Sequence, residues 1–327
     1  MNQIKIKTWI KSFQFFLPLG PGWGFWVEEA RRIPVGGQAV IEGVLMKGAD
    51  LWGLAIRQTD GKIFRENWKN SSRTKRYPWK LPLIRGFITM IEMMGTGFRA
   101  LNRSAEIALS ESEEKLTTRD IAIAIAVGLF AVVGLFIALP LWLSEKSGEF
   151  LTLSPTARNL LEGILRGLIF VAYVAAIGLM KDIREVFRYH GAEHKTINAF
   201  ENELEMTPQS VASQSRIHPR CGTSFLLIAI LISVAVFSAV GKGGLLWRIG
   251  SRVVLLPLVI GISYEIIRLT AKSGPIGKLL MYPVLSLQYL TTREPNLDQI
   301  EVALTSLDEA LNFKILNPLP KEDGVVE

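Results

Sequence analysis

The sequence predicts an α-helical integral membrane protein with about four transmembrane helices and a small N-terminal α+β unit. Three observations predict it. Of the 327 residues 49% are hydrophobic, and they are clumped into four runs near the length a helix needs to cross a bilayer, about 20 residues. The net charge of +7 is unevenly placed. Residues 1–120 hold 19 lysines and arginines against 12 acidic residues, an excess of seven, and the remaining 18 basic and 18 acidic residues cancel. Finally, Asp60-Gly61 stands between two runs of alternating polarity ahead of the first apolar run, a strong short-range hairpin signal. Clumped apolar residues exclude an ordinary pair of soluble domains. The single cysteine excludes an internal disulfide and fits a reducing compartment or a metal thiolate.

The elements follow in order. Residues 1–34 read as a basic, aromatic arm in which Lys5, Lys7 and Lys11 interrupt Trp9, Phe13, Phe15 and Phe16. Such interruption does not suit the apolar core of a signal peptide. Residues 35–118 read as a small unit of β-hairpin plus amphipathic helix. Its helix starts after Pro82, with Leu83, Phe87, Met90, Ile91, Met94, Phe98 and Leu101 at helical spacing. Arg85, Glu92, Arg99 and Arg103 make that helix too polar to cross a bilayer. It suits the membrane surface, with burial in the soluble unit as the alternative.

Residues 119–272 read as a four-helix bundle with spans at Ile121–Leu143, Asn159–Met180, Thr223–Val240 and Arg252–Thr270. Glu162 and Arg166 lie four apart in the second span, on one helix face, where they can pair. The link 181–222 carries six basic residues, whereas the other two links carry two each. The positive-inside rule therefore puts that link and both termini in the cytoplasm of a multi-pass protein of the cell (inner) membrane. Residues 273–327 read as a cytoplasmic C-terminal segment. Within it Ile276–Leu290 is too short to cross and is interfacial or re-entrant, and an acidic amphipathic helix follows Pro295. The basic excess points to anionic lipid at the cytoplasmic face; no recognition motif for nucleic acid accompanies it. Nothing in the sequence specifies an oligomeric state.

All three histidines, His190, His194 and His218, and the single Cys221 fall between residues 190 and 221. His190 and His194 are one helical turn apart and can share one metal ion. With Glu193 they form H-x-x-E-H, the reverse of H-E-x-x-H, in which the glutamate is the general base of a metal-assisted hydrolysis. His218 and Cys221, three apart at the mouth of the third span, complete the candidate ligands. Histidine and thiolate ligands favour zinc among divalent metals. Glu201 lies seven residues past His194, roughly 10 Å along a helix, too far to ligate unless the helix breaks. Glu265, near the cytoplasmic end of the fourth span, would reach the same layer. A closed Cys–His₃ site would be structural; three ligands with an open position would be catalytic.

Five stretches, GGQAVIEGVLMKG, PLIRGF, YHGAEHKTINAFE, HPRCGTSF and LTTREPNLDQIEVAL, together resemble the YqhQ-like family of uncharacterised membrane proteins, described as predicted metal-dependent enzymes. The resemblance runs from about Ile33 to Ala310. It implies membership of a family whose metal label matches the His/Glu/Cys cluster, and it places Gln38 and Glu42 in the N-terminal motif. That segment would fold onto the cytoplasmic mouth of the bundle.

The leading expectation is a metal-dependent hydrolase at the cytoplasmic membrane face, with His190, His194, His218 and Cys221 around zinc and Glu193 as base. Glu265, Glu201, Gln38 and Glu42 would form its surroundings. One alternative is a non-catalytic scaffold or lipid-handling protein stapled by a structural metal. The other is an ion or metal transporter, disfavoured because few polar residues lie within the spans.

Overall fold

A computed structural model describes residues 35–108, 118–240 and 245–312. The arm at 1–34, the acidic run at 111–114 and the last residues, from 313, lie outside the described residues.

The N-terminal unit is a four-stranded antiparallel meander, β1 (Gly36–Val40), β2 (Gly43–Lys47), β3 (Leu51–Arg57) and β4 (Ile63–Lys69), in that spatial order. The Asp60-Gly61 signal is the β3–β4 turn. Gly61 there has φ 85°, a left-handed conformation that costs glycine nothing. Leu45 pairs with Leu54, and Leu54 with Glu66. Residues alternate between faces, so Val40, Leu45, Trp52, Leu54 and Ile56 share one face and form a core cluster with Ala100 and Met93 of α1 (Ile84–Ala108). The opposite face meets the chain's last described helix. Ser306 donates its hydroxyl proton to the Gly53 carbonyl at 2.9 Å, and Asn67 donates to Glu309 at 2.6 Å. β2 and β3 are consequently buried on both faces.

Four helices are long and apolar enough to cross a membrane: Ala126–Phe150, Thr156–Ile177, Gly222–Ala239 and Gly250–Thr270. The first extends past the expected Leu143. Helix α2 (Thr118–Val133) runs through a π-turn at Gly134–Ala138 directly into α3 (Leu139–Phe150), where Pro140 has no N–H to donate back to the preceding turn. The second is α4 (Pro155–Ile177), capped by the Ser154 hydroxyl accepting from Ala157 N at 3.3 Å. Helix α4 does not continue into the His-rich segment. The chain breaks at Gly178–Met180 and restarts as α5 (Lys181–Glu201).

After the short α6 (Pro208–Ala212) come α7 (Gly222–Ala239) and α8 (Leu245–Lys272). The expected Glu162–Arg166 pair forms at 2.6 Å, and Arg252 of α8 joins it at 2.6 Å from the other carboxylate oxygen. Arg166 also donates through Nε to the Phe136 carbonyl in the π-turn at 3.0 Å and through a guanidinium N–H to the Ser233 hydroxyl of α7 at 3.3 Å, so four apolar helix segments meet at one polar point. The expected segment Ile276–Leu290 falls on a 13-residue helix, α9 (Gly274–Ser286), and the short α10 (Gln288–Thr291) after it. Met281 and Val284 of α9 pack on Ile228 of α7.

The C-terminal amphipathic helix is α11 (Leu297–Leu311), opened by an Asn296–Gln299 capping box. It does not stand apart as a tail. Ile300, Val302, Ala303, Leu304 and Leu307 are at most 1% exposed, because α11 fills the space between the sheet and α5. Segments about 250 residues apart thus build one unit.

Candidate metal centre

Helix α5 carries most of the site. Its Tyr189–Ala199 stretch is almost wholly buried, among β1, β2, α6 and α11. Burial there demands a small residue at 191. The strap 291–295 crosses α5 so closely that a Cβ on Gly191 would overlap the Arg293 carbonyl oxygen. That contact brings the Thr291 carbonyl within 2.8 Å of His190 Nδ1. One turn on, His194 Nδ1 lies 2.6 Å from the Arg216 carbonyl.

A carbonyl oxygen only accepts, so each Nδ1 carries a proton, and Nε2 is the nitrogen each ring has left to ligate once it gives up any proton of its own. Outer hydrogen bonds of this kind orient metal-binding histidines. Cys221, at the N-cap of α7, completes the arrangement with Sγ 3.3 Å from His190 Nε2 and 3.1 Å from the Thr223 hydroxyl. One ligand atom from each of His190, His194 and Cys221 lies within 4.8 Å of the others, so this group could bind a metal ion. Glu193 is buried beside it, with Oε2 3.6 Å from His194 Nε2 and 3.9 Å from His190 Nε2. The Glu193 methylenes are flanked by Gly37 of β1, so the sheet closes that side of the cluster.

The electrostatics agree with a thiolate at this point. Burial by itself would raise the Cys221 thiol, but His190 and then His194 outweigh it and hold it well below the usual range. Burial would lower His190, and the Cys221 sulfur and Glu193 outweigh that, raising it to about 9. His218 is lowered, chiefly by burial.

His218 stands next to the cluster but not in it. Its ring centroid is 5.8 Å from that of His194, and its Nε2 faces Glu201 at 3.5 Å. Two long-range contacts put it there. Gln288 clamps the His218 backbone, accepting from its N–H at 2.9 Å and donating to its carbonyl at 2.7 Å. Glu201 in turn is drawn to Arg220, with which it forms an ion pair.

The remaining sequence candidates are dispersed. Glu265 pairs with Arg85 at the start of α1 and accepts from Leu83 N at 3.4 Å. Gln38 lies against Gly97 of α1, on the other face of the sheet from Glu193. Glu42, in the β1–β2 turn with φ 50°, accepts from the Tyr189 hydroxyl at 3.1 Å. The Tyr189 phenol is raised, by burial first and then by Glu42.

Sequence reasoning missed the supporting groups: the Thr291 and Arg216 carbonyls, Thr223, Gly191 and Gln288. Backbone carbonyls leave no mark in a sequence. The glycine beside His190 and the run TTREP after Gln288 were the available signals. A groove of about 510 Å³ between β4 and α1, lined by Trp68, Arg99 and Arg103 among others, shares no residue with the cluster.

The chain matches the family described as "Protein of unknown function (DUF1385)" over residues 81–313. It is 36% identical over 299 residues to "Uncharacterized protein YqhQ" of Bacillus subtilis (strain 168), covering 86% of this chain and 93% of that protein. No solved structure matches the chain. The chain carrying this His–His–Cys cluster below a set of apolar helices is thus a member of the DUF1385 family.

Proposed function

We propose that this chain is a membrane-embedded, metal-dependent hydrolase working at the cytoplasmic membrane face. One observation carries the reading. Two histidines whose Nδ1 protons are committed to carbonyls have only Nε2 left to ligate, in one group with a cysteine and with a buried carboxylate beside them. His190, His194 and Cys221 would hold the ion. Their nitrogen and sulfur donors suit zinc, which when bound supplies Lewis acidity. Three protein ligands fit a catalytic site better than a closed four-ligand one.

Glu193 would be the general base. Its Oε2, within 4 Å of both Nε2 atoms, is placed to take a proton from a water entering the cluster. Thr223, 3.1 Å from the sulfur, would donate to the thiolate and temper its charge. Candidate substrates are a lipid headgroup ester or a peptide bond at the membrane face.

The burial of the cluster favours a second reading, a structural metal. His194 is 1% exposed, Glu193 4% and Cys221 6%, and the ligands tie α5 to α7. Metal analysis and turnover separate the two. Purified protein should carry one tightly held zinc per chain, and Cys221→Ser and His194→Ala should lose it. A base role requires Glu193→Gln to keep the metal while abolishing zinc-dependent release of headgroup or peptide from vesicles. Loss of metal in Glu193→Gln would make Glu193 a ligand and sink the base role. Retained turnover would sink it too. A wild type without bound zinc would sink both readings.

A further inference from the structure

Helix α1 carries a surface that neither the sheet nor the metal centre uses. At about 100° per residue its side chains fall into three sectors. Gly86, Gly97, Ala100 and Ser104 are the buried face, within an arc of about 60°. Arg85, Glu92, Arg99, Arg103 and Glu106 occupy a second sector, centred about 120° away. Ile84, Ile91, Met94, Phe98 and Leu101 make up the third, an arc of about 100°. These five apolar side chains are 40% to 65% exposed. A continuous apolar stripe of five large side chains along one helix is more than scattered surface hydrophobicity.

Where α1 begins decides what covers the stripe. Gly86 lies on Tyr264, the Leu83 carbonyl lies against Gly261, and Arg85 pairs with Glu265. Those partners sit five to nine residues inside the apolar segment that ends at Thr270, about 7 to 13 Å along the helix. An interfacial helix buries its apolar face about 5 to 10 Å into the boundary between headgroups and acyl chains. The segment leading into α1 has the matching composition. Tyr77 and Trp79 are 72% and 42% exposed, and Lys75, Arg76 and Lys80 surround them. Aromatic rings at the interface and basic side chains toward anionic headgroups are the recurrent pattern of that layer.

We propose that α1 and the loop before it form an in-plane membrane seat. The stripe from Ile84 to Leu101 lies in the leaflet at the C-terminal end of α8, and the basic residues face anionic headgroups. The seat holds the sheet, and with it the closed side of the His–Cys cluster, at the bilayer surface. It stands on observations independent of the metal reading.

The test uses the full chain with p-benzoylphenylalanine placed at Met94, at Phe98 or, as a control in the charged sector, at Glu106. Each protein is reconstituted into phosphatidylethanolamine vesicles containing a minority of phosphatidylglycerol and irradiated. Mass spectrometry should find lipid adducts at 94 and 98 and at least tenfold fewer at 106. Phosphatidylglycerol should exceed its share of the vesicle lipid among the adducts, and the excess should fall in high salt. Equal lipid labelling at all three positions would overturn the seat, as would cross-links at 94 and 98 to a second copy of the chain. Adducts in proportion to vesicle composition would overturn the anionic preference.

Discussion

Replacing Gly191 with alanine tests the site through a contact in which no ligand is altered. The added Cβ would overlap the Arg293 carbonyl oxygen and lie 3.2 Å from its carbon and 3.4 Å from Pro295 Cδ. The Cβ would lie 2.1 Å from that oxygen, and an ordinary van der Waals contact needs about 3.5 Å, so the strap must withdraw by about 1.4 Å. Its retreat lengthens the 2.8 Å bond between the Thr291 carbonyl and His190 Nδ1, which orients the ring. Losing such an outer hydrogen bond costs about 10- to 100-fold in metal affinity, roughly 1.4 to 2.8 kcal/mol. Overpacking adds about 1–3 kcal/mol to the loss of fold stability. The assay is zinc competition against a chromophoric chelator, alongside thermal unfolding in detergent. Gly167→Ala is the control, because a Cβ there meets nothing within 4 Å. Zinc affinity in Gly191→Ala within twofold of wild type would refute the claim that the strap orients His190.

Three further outcomes are expected. Glu162→Ala leaves Arg166 and Arg252 buried without their shared carboxylate, and should destabilise the helical bundle by about 3–5 kcal/mol in thermal unfolding. A loss under about 1 kcal/mol would show the cluster to be solvated. Gly53→Ala overlaps the Ser306 carbonyl and the Ala310 N–H, and should cost about 1–3 kcal/mol and expose α11 to proteolysis; wild-type resistance would count against the docking of α11 on the sheet.

The third concerns pH in metal-free protein. His190 is raised, so its share of stability is present below the ordinary imidazole value and disappears as pH rises through about 9. Cys221 is depressed, so its share is present above the ordinary thiol value and disappears as pH falls through its lowered one. Thiolate absorbance should therefore persist at neutral pH and vanish there in His190→Ala. A thiol titrating near about 8.5 in the wild type would contradict the pairing.

Much of the architecture was legible because it is local. Asp60-Gly61 marked the β3–β4 turn through glycine's access to φ 85°. The four apolar runs were readable by length, and Glu162–Arg166 by helical spacing. The break between α4 and α5 was not readable, since Gly178 alone does not distinguish a turn from a continuing helix. Nor was the company kept by Glu265 and Glu201. Each is taken by an arginine, Arg85 and Arg220, that the fold carries to it from another element.

The same division runs through the metal centre. Helical spacing alone puts His190, Glu193 and His194 on neighbouring turns, and composition alone singles out Cys221 as the one thiol. Which candidates converge is a tertiary matter. His190 is oriented by a carbonyl 101 residues downstream, and His218 is turned to Glu201 while its backbone is clamped by Gln288. Side-chain identity writes the possible ligands into the sequence. Backbone groups choose among them, and every residue has the same carbonyl, so that choice exists only once the chain has folded.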